Sequence, residues 1–430
     1  MSSRKHIVII GGGFAGLNLA RRLVRSDLYE VIVIDKNNYN YFTPLLYQVA
    51  TSFLEPSSIS YPFRKLFRGK DITFRMASLL RVNADANKLY LSDGGELGYD
   101  LLVFAAGAKT NFFGNELVRQ NAFSIKDVDD ALYFRNEFIN RFEWASIEKD
   151  VLERQKLLTI VVAGGGPTGV ELAGMFVEME KYVLGRDYPE LKRESMRIYV
   201  IDHAPDLLSA MSDKTHKEAY AALTKLGVHV KLNTRVVFYE NDRVGLSDGE
   251  VIETKTLVWA AGVVANTFEG ISEDALGVGR RMITDSYNRV LGYDNVFAIG
   301  DISIQFGDTA YPDGHPQLAQ PAIQQGKALA KNLVRVAKGR PVKPFRYFDR
   351  GEMAIIGRRL AVSDLFKHKL HLRGFLGLAG WLFIHLLSLV NYNNKVKTFY
   401  NWAVAYVTQD QALRMIFRSG NRESGARKTG

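Results

Sequence analysis

The chain has no cysteine among its 430 residues. That absence excludes disulfides, cysteine-ligated zinc, cysteine-ligated iron–sulfur clusters and all thiol-based redox chemistry. A long hydrophobic run is also missing. The most apolar stretch, "GFLGLAGWLFIHLLSLV" from Gly374 to Val390, has 17 residues and contains His385, against the roughly 20 that a spanning helix needs. No signal peptide is expected, because "MSSRKH" passes straight into a strand pattern without an apolar h-region or cleavage site. No metal site is expected either.

Excess positive charge is absent everywhere except at one end. Of 56 Lys and Arg and 46 Asp and Glu, the segment from Arg340 to Gly430 holds 16 basic and 5 acidic residues, so the rest of the chain carries 40 against 41. A basic tail suits nucleic acid or an anionic lipid surface. Nucleic acid is disfavoured, since no basic stripe with stacking aromatics precedes the apolar run. At 430 residues the chain is long enough for two or three domains.

Two stretches share one design. His6–Ile10 is a short apolar run that ends at glycines, the signature of a buried parallel strand. Gly11, Gly13 and Gly16 follow, then a helix from Phe14 to about Arg25, then "YEVIVID" ending in Asp35, 19 residues after the third glycine. Gly11 permits the tight turn, Gly13 lets backbone approach a pyrophosphate, and Gly16 lets helix and strand pack closely. The helix N-terminus offers free N–H groups and a positive dipole end, and Asp35 can accept from a ribose 2′-OH. Further on, "LLTIVVA" leads to Gly164, Gly166 and Gly169, a helix from near Thr168, and "MRIYVID" ending in Asp202. An acid rather than an arginine at that strand end favours NADH over NADPH. Only the second unit carries a glutamate, Glu171, just past its last glycine.

Three more apolar strands end in Ala-Ala-Gly or Gly-Asp: Tyr99–Ala108, Lys255–Val263 and Asp294–Ser303. In this order the segments resemble the flavoproteins with two dinucleotide-binding domains. The resemblance implies an α/β fold of two Rossmann-like domains, with an NADH domain (114–289) inserted in an FAD domain (1–113 and 290–345). A C-terminal region (346–430) serves membrane association or dimerisation. It implies that Asp301 binds the FAD ribityl chain and phosphate. The lack of cysteine excludes the disulfide reductases, sulfide:quinone oxidoreductase and sulfenic-acid peroxidases of this fold, and leaves ferredoxin-type reductases open.

The stretches "NYNYFTPLLYQVAT" (Asn38–Thr51), "GGGPTGVELAG" (Gly164–Gly174), "LAQPAIQQGKALAKNL" (Leu318–Leu333) and the C-terminal "GWLFIHLLSLVNYNNKVKTFYNWAVAYV" resemble the membrane-bound type II NADH:quinone oxidoreductases. The resemblance implies bound FAD at Gly11, Gly13, Phe14, Ala15, Gly16, Asp35, Lys36, Leu79, Ala106, Gly107, Asp301, Leu318 and Ala319. It implies NADH at Gly164, Gly166, Pro167, Thr168, Gly169, Asp202, Ala261 and Gly262, and a quinone at Gln320, Ile323 and Gln324. Independently of it, Pro316 and Pro321 bracket a helix start whose N–H groups near Leu318–Ala319 would face negative charge on reduced flavin. Gln320 could hydrogen-bond a quinone carbonyl, or be a solvated helix residue. The resemblance makes Glu171, in the first turn of its helix, the candidate for relaying protons to the quinone, the alternative being a simple dipole partner.

In the tail, Gly374–Val390 with basic flanks at Lys367, Lys369, Arg373, Lys395 and Lys397 reads as an in-plane helix. A second helix from Val396 to about Phe417 interleaves Phe399, Trp402 and Tyr406 with Lys397, Arg414 and Arg418. The alternative is a dimerisation pair; both readings are compatible with a homodimer. Where the family has "FRNR" this chain has "YNNK", so a basic contact there falls to Lys395 or is lost at Asn393. Ser419–Gly430 reads as disordered. The expected protein is a monotopic enzyme on the cytoplasmic face of the inner membrane, passing electrons from NADH through FAD to ubiquinone or menaquinone without ion pumping. A soluble NADH:ferredoxin-type reductase is the alternative, and a non-enzymatic FAD-binding partner protein a further one.

Overall fold

The structure is a computed structural model and describes residues 4–358, 360–366, 369–408 and 413–417. Lys367, Arg418 and Ser419–Gly430 lie outside the described residues.

The first apolar run forms β1 (Lys5–Ile10), whose last four residues are all buried. Beside it lie β2 (Tyr29–Asp35), β3 (Ile72–Met76), β4 (Leu101–Phe104) and the strand Val296–Ala298. They make a five-stranded parallel sheet in which β1 is central, between β2 and β4. Helix α1 (Phe14–Leu23) crosses from β1 towards β2. A short helix, α2 (Leu46–Ala50), is wholly buried.

The second unit repeats the arrangement. Helix α3 (Val128–Ile147) starts at an Asp127 cap. Strand β5 (Thr159–Ala163) runs into α4 (Pro167–Met179), then β6 (Arg197–Ile201), α5 (Asp213–Lys225) and β7 (Thr256–Trp259). With Phe123–Ser124 and His229–Lys231 these strands form a second five-stranded parallel sheet centred on β5. The two crossovers between the units, Ala108–Thr110 and Val263–Ala265, pair with each other as an antiparallel ribbon.

The return to the first unit comes earlier than residue 290. Asn266 donates to Ala106 O at 2.8 Å. Ile271, Ala275 and Met282 sit in one hydrophobic cluster with Val8, Ile10 and Leu102 of the first sheet. The crossover ribbon, not the strand before Asp301, therefore marks the boundary. Residues 266–289 form only short turns and strands, without a period to read.

Helix α6 (Ala319–Ala337) closes the first unit against α1. Beyond it, β8 (Gly351–Ile356), β9 (Leu360–Leu365) and β10 (Leu370–Arg373) form an antiparallel sheet. It lies over α4: a Cβ on Gly174 would stand 2.2 Å from Gly357 N, so glycine is required for that contact. Two helices complete the chain, α7 (Gly374–Ser388) and α8 (Tyr392–Thr408). The second of these does not reach Phe417. Residues 413–417 run without helix across α3, where Asn136 Nδ2 donates to Phe417 O at 2.7 Å, and Arg414 pairs with Asp187 at 2.7 Å. No described helix is long and apolar enough to cross a membrane.

Candidate active site

The glycines of the two units perform matching steric jobs. A Cβ on Gly11 would meet Ala105 O at 2.4 Å, and one on Gly164 would meet Ala260 O at 2.5 Å. Both residues have positive φ, 102° and 117°. A Cβ on Gly16 would strike Gly11 O at 1.9 Å, and one on Gly169 would strike Gly164 O at 1.8 Å. Gly13 and Gly166 face open space instead, which is where a phosphate can approach backbone.

The two strand-end acids are braced alike. Asp35 accepts from the N–H of Gly12 and of Asn37 at 2.7 and 2.8 Å. Asp202 accepts from the N–H of Gly165 and, at 2.7 Å, from Ala204. Each carboxylate thus holds its glycine loop in shape, and lone pairs remain for a ribose hydroxyl. Pro167 and Thr168 stand exposed at the α4 N-terminus, and Ala260–Ala261 backs onto Gly164. Gly262 lies at the crossover, accepting from Asn111 N at 3.1 Å.

The first unit opens into a cavity of about 780 Å³, whose lining includes Gly11, Gly13, Phe14, Ala15, Asp35, Lys36, Leu79, Ala106, Gly107 and Asp301. That volume fits a large cofactor, and the glycine cradle fits the pyrophosphate of FAD. Asp301 is held between Lys126 and Arg281, whose charges offset the upward push of burial on its carboxyl. Neither basic residue carries a sequence signal, because they come from distant segments. Gly16 shapes the turn without lining the cavity. Leu318 caps α6 and Ala319 begins it, with Pro321 in its first turn. It is Ala322, one turn in, that lines the cavity, and Gln325 accepts from Gly300 N at 2.6 Å, holding the loop that carries Asp301.

The glutamines of α6 are placed differently from expectation. Gln324 is fully engaged with the backbone of Phe348, donating at 2.8 Å and accepting at 3.0 Å. It braces the segment leading to β8. Gln320 donates to Gly351 O at 2.8 Å and buries its other amide atom, Oε1, without a protein partner. Ile323 is half-buried on the same helix.

Glu171 is the fifth residue of α4, because the helix starts at Pro167, so it lies beyond the first turn. Its side chain is buried. Burial pushes its carboxyl well above the ordinary range, with the Ile355 backbone and the Trp381 side chain pulling the other way. A string of rings leads from the cavity to this place. Phe14 meets Phe42 edge-on at 5.6 Å, Phe42 meets His385 at 6.0 Å, and His385 stacks on Trp381 at 3.9 Å. The C-terminal helices thus reach the neighbourhood of both the cavity and the glutamate. Two residues of the "YQVA" stretch, Tyr47 and Gln48, join them there: Gln48 accepts from Trp402 Nε1 at 2.8 Å and donates to the Tyr47 hydroxyl at 3.0 Å. Lys395 and Asn393 do not take part. Lys395 donates to Leu387 O at 2.9 Å, at the C-terminal end of α7, and Asn393 is exposed.

The profile of the pyridine nucleotide-disulphide oxidoreductase family matches residues 5–326. A type II NADH:quinone oxidoreductase of Mycobacterium tuberculosis, NdhA, is 34% identical over 424 residues, covering 95% of this chain and 88% of the relative. One from Staphylococcus aureus is 30% identical, covering 84% and 90%. The structure of NDH2 from Plasmodium falciparum in complex with NADH superposes with a TM-score of 0.87, covering 97% of this chain and all of that one, at 20% identity. The sulfide:quinone oxidoreductase of Aquifex aeolicus shares the fold with a TM-score of 0.73 at 19% identity, over 94% and 96% of the two chains. A glycine-built pair of nucleotide units without a single cysteine, matched over nearly its whole length by these relatives, belongs to the type II NADH:quinone oxidoreductases of the pyridine nucleotide-disulphide oxidoreductase family.

Proposed function

We propose that this chain oxidises NADH at the second unit, passes the electrons through FAD held in the first, and reduces a membrane quinone beneath the C-terminal helices. Bound FAD supplies the ability to accept a hydride and release two electrons. Gly11, Gly13 and the α1 N-terminus would hold its pyrophosphate, Asp35 its ribose, and Asp301 its ribityl side. Asp202 selects NADH, since a 2′-phosphate would meet a carboxylate.

The observation that carries the reading is the joining of cavity, buried carboxyl and C-terminal helices by Phe14, Phe42, His385 and Trp381. Quinone reduction consumes two protons as well as two electrons, and a carboxyl whose hold on its proton burial strengthens is suited to deliver one. Glu171 is that group in this reading. Gln320, whose remaining amide capacity is buried in the same region, would orient the quinone head group, with Ile323 as an apolar neighbour.

Membrane attachment is supported by what α7 and α8 leave uncovered. Phe375, Leu376, Phe383 and Leu387 on the first helix, and Phe399, Tyr400 and Val407 on the second, are exposed, with Arg373, Lys395 and Lys397 beside them. Aromatic and basic residues together suit an anionic lipid interface. The enzyme is read as monotopic, on the cytoplasmic face of the inner membrane, and as a homodimer whose mass in detergent tests that element. Ion pumping is not part of the reading, because Glu171 and Tyr47 lie in the core of the α/β units rather than along a path across a bilayer.

The test is a two-step anaerobic titration. NADH should bleach the yellow oxidised flavin, and a short-chain quinone should then restore it. Bleaching without recovery by quinone, but with recovery by an iron–sulfur protein, would assign the chain to the ferredoxin-type alternative.

A further inference from the structure

Phe113 combines two features that folding alone does not favour. Its backbone is left-handed, with φ of 52°, a conformation that strains a bulky residue. Its ring is 66% exposed, so burial gives little in return, and glycine would take this backbone without strain. The turn around it is firmly held. Asn111 Oδ1 accepts from Phe113 N at 2.8 Å, and Phe112 O accepts from Asn115 N at 2.9 Å. Two more bonds tie the turn to the end of β7: Asn111 N donates to Gly262 O at 3.1 Å, and Asn111 O accepts from the Trp259 indole N–H at 2.7 Å. Phe112 stacks on Trp259, centroids 5.9 Å apart, and lines the FAD cavity. Phe113 faces Gly262 instead, where an added Cβ would meet its Cζ at 3.1 Å.

Sheet topology decides which part of a dinucleotide comes to this place. In the second sheet β5 lies between β6 and β7. The pyrophosphate belongs at the loop after β5 and the α4 N-terminus, and the adenosine ribose at Asp202, after β6. The nicotinamide half then extends to the opposite flank, past the end of β7, where Gly262 and Phe113 stand. Phe112, the preceding residue, joins that flank to the FAD cavity.

We propose that Phe113 is a substrate-binding residue whose exposed ring packs against the nicotinamide half of NADH and holds that end beside the FAD cavity. The inference rests on the reading of the second unit as the NADH site and deepens it. A phenyl ring gives an apolar wall to a flat heteroaromatic ring. Gly262 keeps the space beside that wall clear, since a side chain there would crowd Phe113. The four hydrogen bonds of the turn set the ring in place before substrate arrives, so little ordering is left to binding.

The test uses full-length, FAD-loaded enzyme in anaerobic stopped-flow, where the rate of flavin reduction against NADH concentration separates the dissociation constant from the limiting rate. Phe113→Leu should raise the NADH dissociation constant about tenfold, the size of one stack on an aromatic ring. Flavin reoxidation by a short-chain quinone should not change. Phe113→Tyr, which keeps the ring, should bind NADH as the wild type does. Reduced nicotinamide mononucleotide, which lacks the adenosine, should be weakened by Phe113→Leu as much as NADH is. ADP-ribose, which lacks the nicotinamide, should inhibit both proteins equally. Phe113→Gly should melt no lower than the wild type, because glycine adopts this backbone freely, yet bind NADH as weakly as Phe113→Leu. An unchanged NADH dissociation constant in Phe113→Leu, or a loss confined to ADP-ribose, would overturn the proposal. Gly166→Ala separates the two readings: a Cβ there meets no protein atom within 4 Å but occupies the approach of the phosphates. If it weakens NADH and Phe113→Leu does not, only the present inference falls. If it leaves NADH binding intact, the NADH site itself lies elsewhere.

Discussion

Trp381 and His385 lie one helical turn apart on α7 with their rings stacked, centroids 3.9 Å apart and planes 19° from parallel. The Trp381 carbonyl also accepts from His385 Nδ1 at 2.8 Å. Burial holds this imidazole down to about 4, the backbone bond opposing it weakly. In the unfolded chain the same group takes up its proton near 6.5. Between the two values the unfolded state binds more protons, so the contribution to stability is complete above about 6.5 and is lost as pH falls towards 4. Thermal melting should therefore show a loss over that window that is absent in His385→Phe, which keeps a ring in the stack. Equal pH dependence of both proteins would show that the imidazole titrates alike in the folded and unfolded chain.

The carboxyl of Glu171 predicts an unusual tolerance. Because burial favours its neutral form and glutamine is nearly the same group in shape, Glu171→Gln should keep its melting temperature and flavin content. Reoxidation by quinone should fall by roughly 10²-fold or more, in the range of general acid catalysis, with flavin reduction by NADH unchanged. Stopped-flow absorbance resolves the two half-reactions. Unchanged reoxidation would remove Glu171 from the proton path.

Nucleotide choice follows from Asp202. The wild-type chain should favour NADH over NADPH in kcat/KM by at least about tenfold, the equivalent of roughly 1.4 kcal/mol. Asp202→Asn should narrow that gap while weakening the brace on Gly165. Equal efficiency with both nucleotides in the wild-type chain would mean that the ribose lies elsewhere.

The apolar tail offers a surgical test that truncation does not. Trp381 and Trp402 are buried in the main core, and losing one such side chain costs about 3–5 kcal/mol, so cutting before Gly374 should unfold the enzyme rather than free it. Replacing exposed Phe375, Leu376, Phe383 and Leu387 with serine should leave the fold intact. Each buried large apolar side chain is worth roughly 1.5–3 kcal/mol, and nearby basic residues about 1 kcal/mol each. Wild-type protein should sediment with anionic vesicles even at high salt, and the fourfold variant should stay in the supernatant. Sedimentation of both would place the lipid contact on another surface.

The two nucleotide units were legible because their signals are local: three glycines, a helix and an acid within about forty residues. The sheet β8–β10 was not, since "GEMAII" and "LAVSDL" alternate weakly and precede the apolar and aromatic runs that carry the tail's signal. The limits of α8 were misplaced at both ends. Asn391 caps its start by accepting from Asn393 N at 2.8 Å, and residues 413–417 are held flat on α3. The line from Trp402 to Tyr47 spans more than 350 positions, and no pattern along the chain can announce a contact made only by folding. The partner of Gln324 was hidden for a related reason. The motif pointed to its helix, but which backbone its amide would grip depended on where Phe348 came to rest.

The matched glycines, Gly11 with Gly164 and Gly13 with Gly166, allow the two loops and the helices that follow them to be laid over one another residue by residue. Gly16 then falls on Gly169, and Asn18 falls on Glu171. In the first unit the amide of Asn18 turns back to its own helix, donating to Phe14 O at 2.8 Å. In the second, the same position sends a carboxyl into the core. One phosphate-binding frame thus carries two different side chains at a single helical position, a self-bonded amide in the first unit and an inward carboxyl in the second.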